Sequence, residues 1–318
     1  MLSGEPVWLA RAISWVENED PDAVSIVDAS FARSGRARRI GITGPPGAGK
    51  STLVARLARE YRGRDQTVAI VAVDPTSPFS GGALLGDRVR MGELAGDRGV
   101  FVRSMATRGS MGGLAVHTAQ VCDVLDAAGF ARILIETVGV GQSELEVAET
   151  ADSTTVVLVP ESGDGIQAMK AGLMEIGDVF VINKADREGA ERGAFAVRSA
   201  LELKSATGWE PPVLLTVASE GTGVPELAER IEVHLAYLDE HGGLETRRRR
   251  RYEERVTEVL RDRMWQSLRK GIPDPMWSGL LDGFFAERLP PHQVADRLMG
   301  PSPEALMSHD GPSSPRRG

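Results

Sequence analysis

A single cysteine, Cys122, in 318 residues excludes a disulfide framework and any multi-cysteine zinc site, and it suits a reducing compartment. No run of 18 uncharged apolar residues occurs, which excludes a membrane-spanning helix. Positive charge is also short. The 37 basic residues face 45 acidic ones, and the net charge of −8 argues against a protein built to neutralise nucleic-acid backbones. The opening stretch carries acids where a secretory signal needs a basic and then apolar profile, so a cytoplasmic protein is expected. What is present suffices for a globular fold: 42% of residues are hydrophobic and 26% charged.

Two further scarcities guide the search for chemistry. Among 37 basic residues only Lys50, Lys170, Lys184, Lys204 and Lys270 are lysines, and the only asparagines are Asn18 and Asn183. Where a residue type is rare, its position carries more information than usual.

Apolar, β-branched runs at Ile40–Thr43, Val68–Val73, Val100–Val102, Ile133–Glu136, Thr155–Val159, Val179–Ile182 and Val213–Thr216 predict strands. Helix-length stretches at 50–62, 114–128, 165–176, 190–206 and 224–241 lie between or after them. That alternation predicts an α/β fold with a mostly parallel central sheet covered by helices on both faces, and the phosphate-binding loop at 44–52 makes it one of the P-loop NTPase kind. Ligands then bind at the carboxyl ends of the strands. Residues 1–35 read as a helical extension, 36–241 as the nucleotide-binding domain, 242–300 as a helical arm and 301–318 as a disordered tail. In the arm, 245–270 predicts one amphipathic helix with Tyr252, Val256, Val259, Leu260, Met264 and Leu268 along one side.

The first strand runs into Gly44-Pro45-Pro46-Gly47-Ala48-Gly49-Lys50-Ser51-Thr52, the G-x-x-x-x-G-K-[ST] pattern of a phosphate-binding loop. Its glycines let successive N–H groups converge on a phosphate, and the helix that follows adds its positive end. Lys50 is placed to bridge the β- and γ-phosphates, and Ser51 to ligate Mg²⁺. After the sixth strand comes Asn183-Lys184-Ala185-Asp186, an N-K-x-D. There the Asp186 carboxylate accepts from guanine N1–H and the 2-amino group together, a pattern adenine lacks. Bonds of this type are worth about 1.5–3 kcal/mol each, enough for a hundredfold preference for GTP over ATP. Lys184 is expected along the base, and Asn183 is expected to tie this loop to the phosphate loop. Val217, Ala218 and Ser219, after the last strand, offer main-chain contacts to the guanine oxygen.

The metal side departs from a D-x-x-G pattern. Strand four ends in Glu136-Thr137-Val138-Gly139, where Glu136 can hold a metal-bound water and Gly139 can give its N–H to the γ-phosphate. Asp74 and Asp87 are further acids at strand-end or loop positions. Mg²⁺ takes one or two protein oxygens, so not all three need be direct ligands. Gln142 is a candidate to orient the attacking water.

Together, GPPGAGKST, VDPTSPFSGGALLGDRVRM, ETVGVGQSE, GDGIQAMKAG and NKAD resemble the MeaB/ArgK-type GTPases. These are the G-proteins associated with methylmalonyl-CoA mutase and related cobalamin-dependent acyl-CoA mutases. The resemblance is close over 36–240. It implies a homodimeric GTPase chaperone, using GTP/GDP and Mg²⁺, that gates adenosylcobalamin delivery and protects the mutase from inactivation. It also implies that Asp74, Asp87 and Glu136 form the Mg²⁺ neighbourhood and that the C-terminal helices form the dimer contact. The segment 163–172 is implied to be a switch carrying Gln167 and Lys170.

Three alternative readings compete with this one. A kinase linked to arginine/ornithine transport needs a phosphoacceptor and a base poised on it, and the sequence offers no separate constellation for one. A metallochaperone needs clustered His and Cys, but His117 and Cys122 are five apart and fall on different helix faces. Nucleic-acid binding through residues 247–251 competes with a solvated helix face flanked by Glu245, Glu253 and Glu254, which is the expected role.

Overall fold

The computed structural model describes residues 6–74, 94, 96–106, 113–137, 143–160, 172–203, 208–270 and 272–299. The described residues divide into two compact units, one running through Arg251 and the other from Tyr252.

The first unit is built on a sheet of seven described strands. They are β1 (Arg38–Thr43), β2 (Val68–Asp74), β3 (Val100–Ala106), β4 (Arg132–Thr137), β5 (Ser153–Leu158), β6 (Val179–Asn183) and β7 (Val213–Thr216). Their order is β3-β2-β4-β1-β5-β6-β7, and every pairing is parallel. Both faces must therefore be covered, as near-continuous apolar strands require. The described helices of this unit are α1 (Pro6–Glu17), α2 (Ala23–Phe31), α3 (Lys50–Gly63), α4 (Gly113–Ala127), α5 (Ser143–Thr150), α6 (Leu173–Ile176), α7 (Ala190–Glu202) and α8 (Val224–Glu240). Most of the 165–176 stretch expected as helix lies outside the described residues, and α5 was not anticipated.

Successive strand side chains go to opposite faces. Ile40, Ile42, Val68, Ile70 and Leu134 pack with Leu53, Leu57 and Tyr61 of α3 and with Leu227 and Ile231 of α8. On the other face, Ala69, Val71, Ile133 and Ile135 pack with Leu9, Ile13 and Val16 of α1 and with Val121, Cys122 and Leu125 of α4. The N-terminal helix is thus part of the core. A third cluster sets Val156, Leu158, Phe180 and Ile182 against Ala190, Ala194 and Val197 of α7.

Helix α9 (Gly243–Arg269) begins in the first unit. The arginines expected on a solvated face are turned inward there. Arg247 grips Asp178 through two nitrogens, each at 2.8 Å, while Arg248 and Arg251 both reach Asp152, which is fully buried. Arg248 also donates to the carbonyls of Gly35 and Ala37, and Asp126 accepts the N–H groups of Gly35, Arg36 and Ala37. The physical reason is the two carboxylates at the amino ends of β5 and β6: buried acids need paired cations. Arg249 and Arg250 stay exposed.

The second unit holds the rest of α9, α10 (Asp274–Ala286) and α11 (Pro291–Leu298). Its apolar residues are mostly exposed, among them Leu260, Met264, Trp265 and Phe285. Among the described residues no helix is long and apolar enough to cross a membrane.

Candidate nucleotide site

Parallel strands bring all their carboxyl ends to one edge. Thr43, Thr137 and Asp74 close the neighbouring strands β1, β4 and β2 there, and Glu136, one residue before the end of β4, lies in register beside Ile42 and Ala72. From that edge the chain turns sharply at Gly44, whose φ is +134° and where a Cβ would lie 2.1 Å from the Val157 carbonyl oxygen. No other residue fits that turn. Gly49 also has a positive φ, of +88°, and opens α3; a Cβ there would strike the Asn183 amide at 2.5 Å.

Lys50 is buried, and its ammonium donates to the carbonyls of Gly44 at 2.8 Å and Pro45 at 2.9 Å. Burial lowers its pKa, against the opposing pull of Glu136 and Glu144. Ser51 donates its hydroxyl to the buried Glu136 carboxylate at 2.5 Å. A hydroxyl and a carboxylate this close are the hard oxygen donors that Mg²⁺ prefers, so the residues fit that ion. Among the described residues no group of three or more His, Cys, Asp or Glu is arranged to hold a metal.

The N-K-x-D loop is fastened to the phosphate loop at two points. Asn183 donates to the Ala48 carbonyl at 2.8 Å, and Lys184 donates to the Gly47 carbonyl at 2.8 Å. The other end of the Asn183 amide accepts from the Thr216 hydroxyl at 3.0 Å and the Ala218 N–H at 3.1 Å. One asparagine therefore joins the phosphate loop, the β6 loop and the β7 loop. Lys184 has φ +58°, and Asp186 stands exposed beyond it. Val217 closes a tight turn with its backbone, donating to Thr222 and accepting from Glu220 and Gly221. Its side chain is not needed for that turn.

Of the other expected residues, Ala48 is buried, Pro45 and Gly49 are half-buried, and Pro46, Gly47, Thr52 and Ser219 are exposed on the same loops. Asp74 ends β2 at the carboxyl edge. Asp87, Gly139, Gln142, Gln167 and Lys170 lie outside the described residues. Sequence reasoning takes Thr216 with residues 217–219 for main-chain contacts only and misses two side-chain roles, those of the Thr216 hydroxyl and of Arg56. Thr216 gave no signal beyond its place in the strand, and Arg56, which contacts the β7 loop, is lost among many arginines.

Residues 9–272 match the family model for the methylmalonyl-CoA mutase-associated GTPase MeaB. A protein of Pyrococcus abyssi is 44% identical over 303 residues, covering 94% of each chain. The GTPase ArgK of Escherichia coli is 37% identical over 236 residues, 71% of each chain. A solved structure described as an LAO/AO transport system kinase superposes with a TM-score of 0.71 at 27% identity, covering 96% of this chain and 95% of its own.

Proposed function

Since the chain belongs to the MeaB family of mutase-associated GTPases, we propose that it couples GTP binding and hydrolysis to the care of a cobalamin-dependent acyl-CoA mutase. The chain is a GTPase with a P-loop fold. Its proposed role as a chaperone gates adenosylcobalamin loading and protects the mutase from inactivation. Family membership across 9–272, which includes the flanking helices as well as the nucleotide domain, is the observation that carries this reading.

In the proposed site, residues 44–52 wrap the phosphates, and Lys50 leaves its carbonyl partners for phosphate oxygens. Asn183, Lys184 and Asp186 take the base, with main-chain help from Val217, Ala218 and Ser219. Ser51, Asp74, Asp87 and Glu136 would hold Mg²⁺. Bound there, the ion would neutralise charge on the triphosphate. Lys50 and the loop N–H groups stabilise the charge that develops on the phosphate oxygens as water attacks. Gly139 and Lys170 are proposed to join from their own loops. Exposed Leu260, Met264, Trp265 and Phe285 support a homodimer through the C-terminal helices. A net charge of −8 and the engagement of Arg247, Arg248 and Arg251 with carboxylates speak against nucleic acid as a partner.

The test mixes the protein with adenosylcobalamin-dependent methylmalonyl-CoA mutase. GTP hydrolysis should rise by tenfold or more, about 1.4 kcal/mol of barrier, and the mutase should keep its activity through more turnovers. An unaltered hydrolysis rate and an unprotected mutase contradict the chaperone role while leaving the GTPase intact. Phosphate found on a protein acceptor rather than in solution would favour the transport-kinase reading instead.

A further inference from the structure

In the second turn of α3, Arg56 reaches to the turn after β7. Its Nε donates to the Ala218 carbonyl at 3.3 Å and one terminal nitrogen donates to the Ser219 carbonyl at 2.7 Å. The two N–H groups that precede Ser219 are taken. The Val217 N–H goes to the Thr222 carbonyl at 3.0 Å, and the Ala218 N–H goes to Asn183 at 3.1 Å. Of the backbone donors of Val217, Ala218 and Ser219, only the Ser219 N–H has no acceptor among the described residues.

A peptide unit is planar and trans, so its carbonyl and its N–H point in opposite directions. The Ala218 carbonyl and the Ser219 N–H belong to one such unit, and the described chain contains no cis bond. Holding the Ala218 oxygen therefore sets the direction of the Ser219 N–H, away from Arg56. Because the donor is a guanidinium, its bonds to the two carbonyls are charge-assisted and stronger than neutral ones. Asn183 pins the preceding peptide from the phosphate-loop side. The Ser219 N–H is thus fixed from both sides.

We propose that Arg56 is a positioning residue for base selection, aiming the Ser219 N–H at the 6-oxo group of the purine. A 6-oxo group accepts that hydrogen bond, whereas a 6-amino group would set donor against donor. The proposal rests on the guanine reading and divides its labour: Asp186 reads the 1- and 2-positions, and the turn held by Arg56 reads the 6-position.

The experiment measures dissociation constants of the full chain for GDP, ADP, IDP and the diphosphate of 2,6-diaminopurine riboside. IDP lacks only the 2-amino group, whereas the diaminopurine nucleotide exchanges the 6-oxo group for an amino group and with it loses N1–H, a loss at Asp186 that is common to wild type and variant and cancels when their preferences are compared. Arg56→Met should cut the preference for GDP over the diaminopurine nucleotide by about tenfold, one hydrogen bond's worth. It should leave the preference for GDP over IDP within about twofold. Arg56→Lys, which keeps the charge and loses the fork, should fall between, and it serves as the readout if Arg56→Met melts early. If wild type prefers GDP over ADP and both ratios survive either substitution, Arg56 is only a staple and the proposal fails. A wild-type protein indifferent to GDP and ADP overturns the guanine reading itself, and the proposal with it.

Discussion

Asp186 stands exposed past the end of β6, while the loop that carries it is tied down by Asn183 and Lys184. Rigid fastening around an accessible carboxylate is what base selection needs, because the loop has little freedom left to lose when the ligand arrives. The chemistry is directional. Asp186→Asn replaces one acceptor by a donor, which opposes the guanine 2-amino group and suits the 2-oxo group of xanthine. GDP affinity should fall a hundredfold or more, about 2.7 kcal/mol, while XDP affinity rises, as read by competition against a labelled nucleotide. Unchanged GDP affinity would remove Asp186 from the base. A different lone residue, Cys122, makes the opposite case. It is fully buried on α4, and burial pushes its thiol up to about 12, with nearby Arg39 pulling the other way. The thiolate is the reactive form, so Cys122 should resist thiol reagents at pH 8 and react fully once urea unfolds the chain. Rapid labelling of the native protein would contradict the packing of α4 on the sheet.

At the scale of the element, the start of α9 is held by carboxylates rather than by apolar packing. Burial would raise the Asp152 pKa, but Arg251, Arg248 and Arg39 outweigh it and hold the group at about 2. A depressed folded-state pKa means stability that is present above the ordinary carboxylate value and lost as pH falls from about 4 toward 2, amounting to about 2 kcal/mol. Asp152→Asn should lower stability by about 3 kcal/mol at pH 7, because it strands paired arginines, and should flatten the acid limb of the stability curve. An acid limb as steep as wild type, measured by urea melts between pH 2 and 6, would show that Asp152 does not titrate in the folding transition. This clamp was illegible beforehand, since a run of arginines flanked by glutamates reads as a solvated face and the buried Asp152 and Asp178 are distant in sequence. The strands were legible because each is buried on both faces and so is continuously apolar. Helix α5 was not: it is short, three of its eight residues are glutamates, and Val147 is its buried apolar side chain. That Asn183 ties the N-K-x-D loop to the glycine-rich loop could be read from motif alone, because a glycine turn and a short polar loop have few sequence solutions. Arg56 and Thr216 could not, as their roles depend on which loops the fold brings together.

At the scale of the whole molecule, one nucleotide-binding unit and one helical unit with exposed apolar side chains make up the chain. The proposed chaperone role and the proposed dimer both require the nucleotide unit to tell GTP from other triphosphates, since a device that also answered to ATP would not report guanine-nucleotide state. The single side chain of Asn183 fastens the β6 loop, the β7 loop and the phosphate loop together, so the proposed triphosphate grip and the proposed base choice share one structural unit. Everything proposed above depends on that unit selecting guanine. The most direct measurement is a titration with labelled GDP, competed in turn by unlabelled GDP and ADP. The account predicts that ADP competes at least a hundredfold more weakly, about 2.7 kcal/mol. Equal competition by the two, or no binding of either, would contradict it.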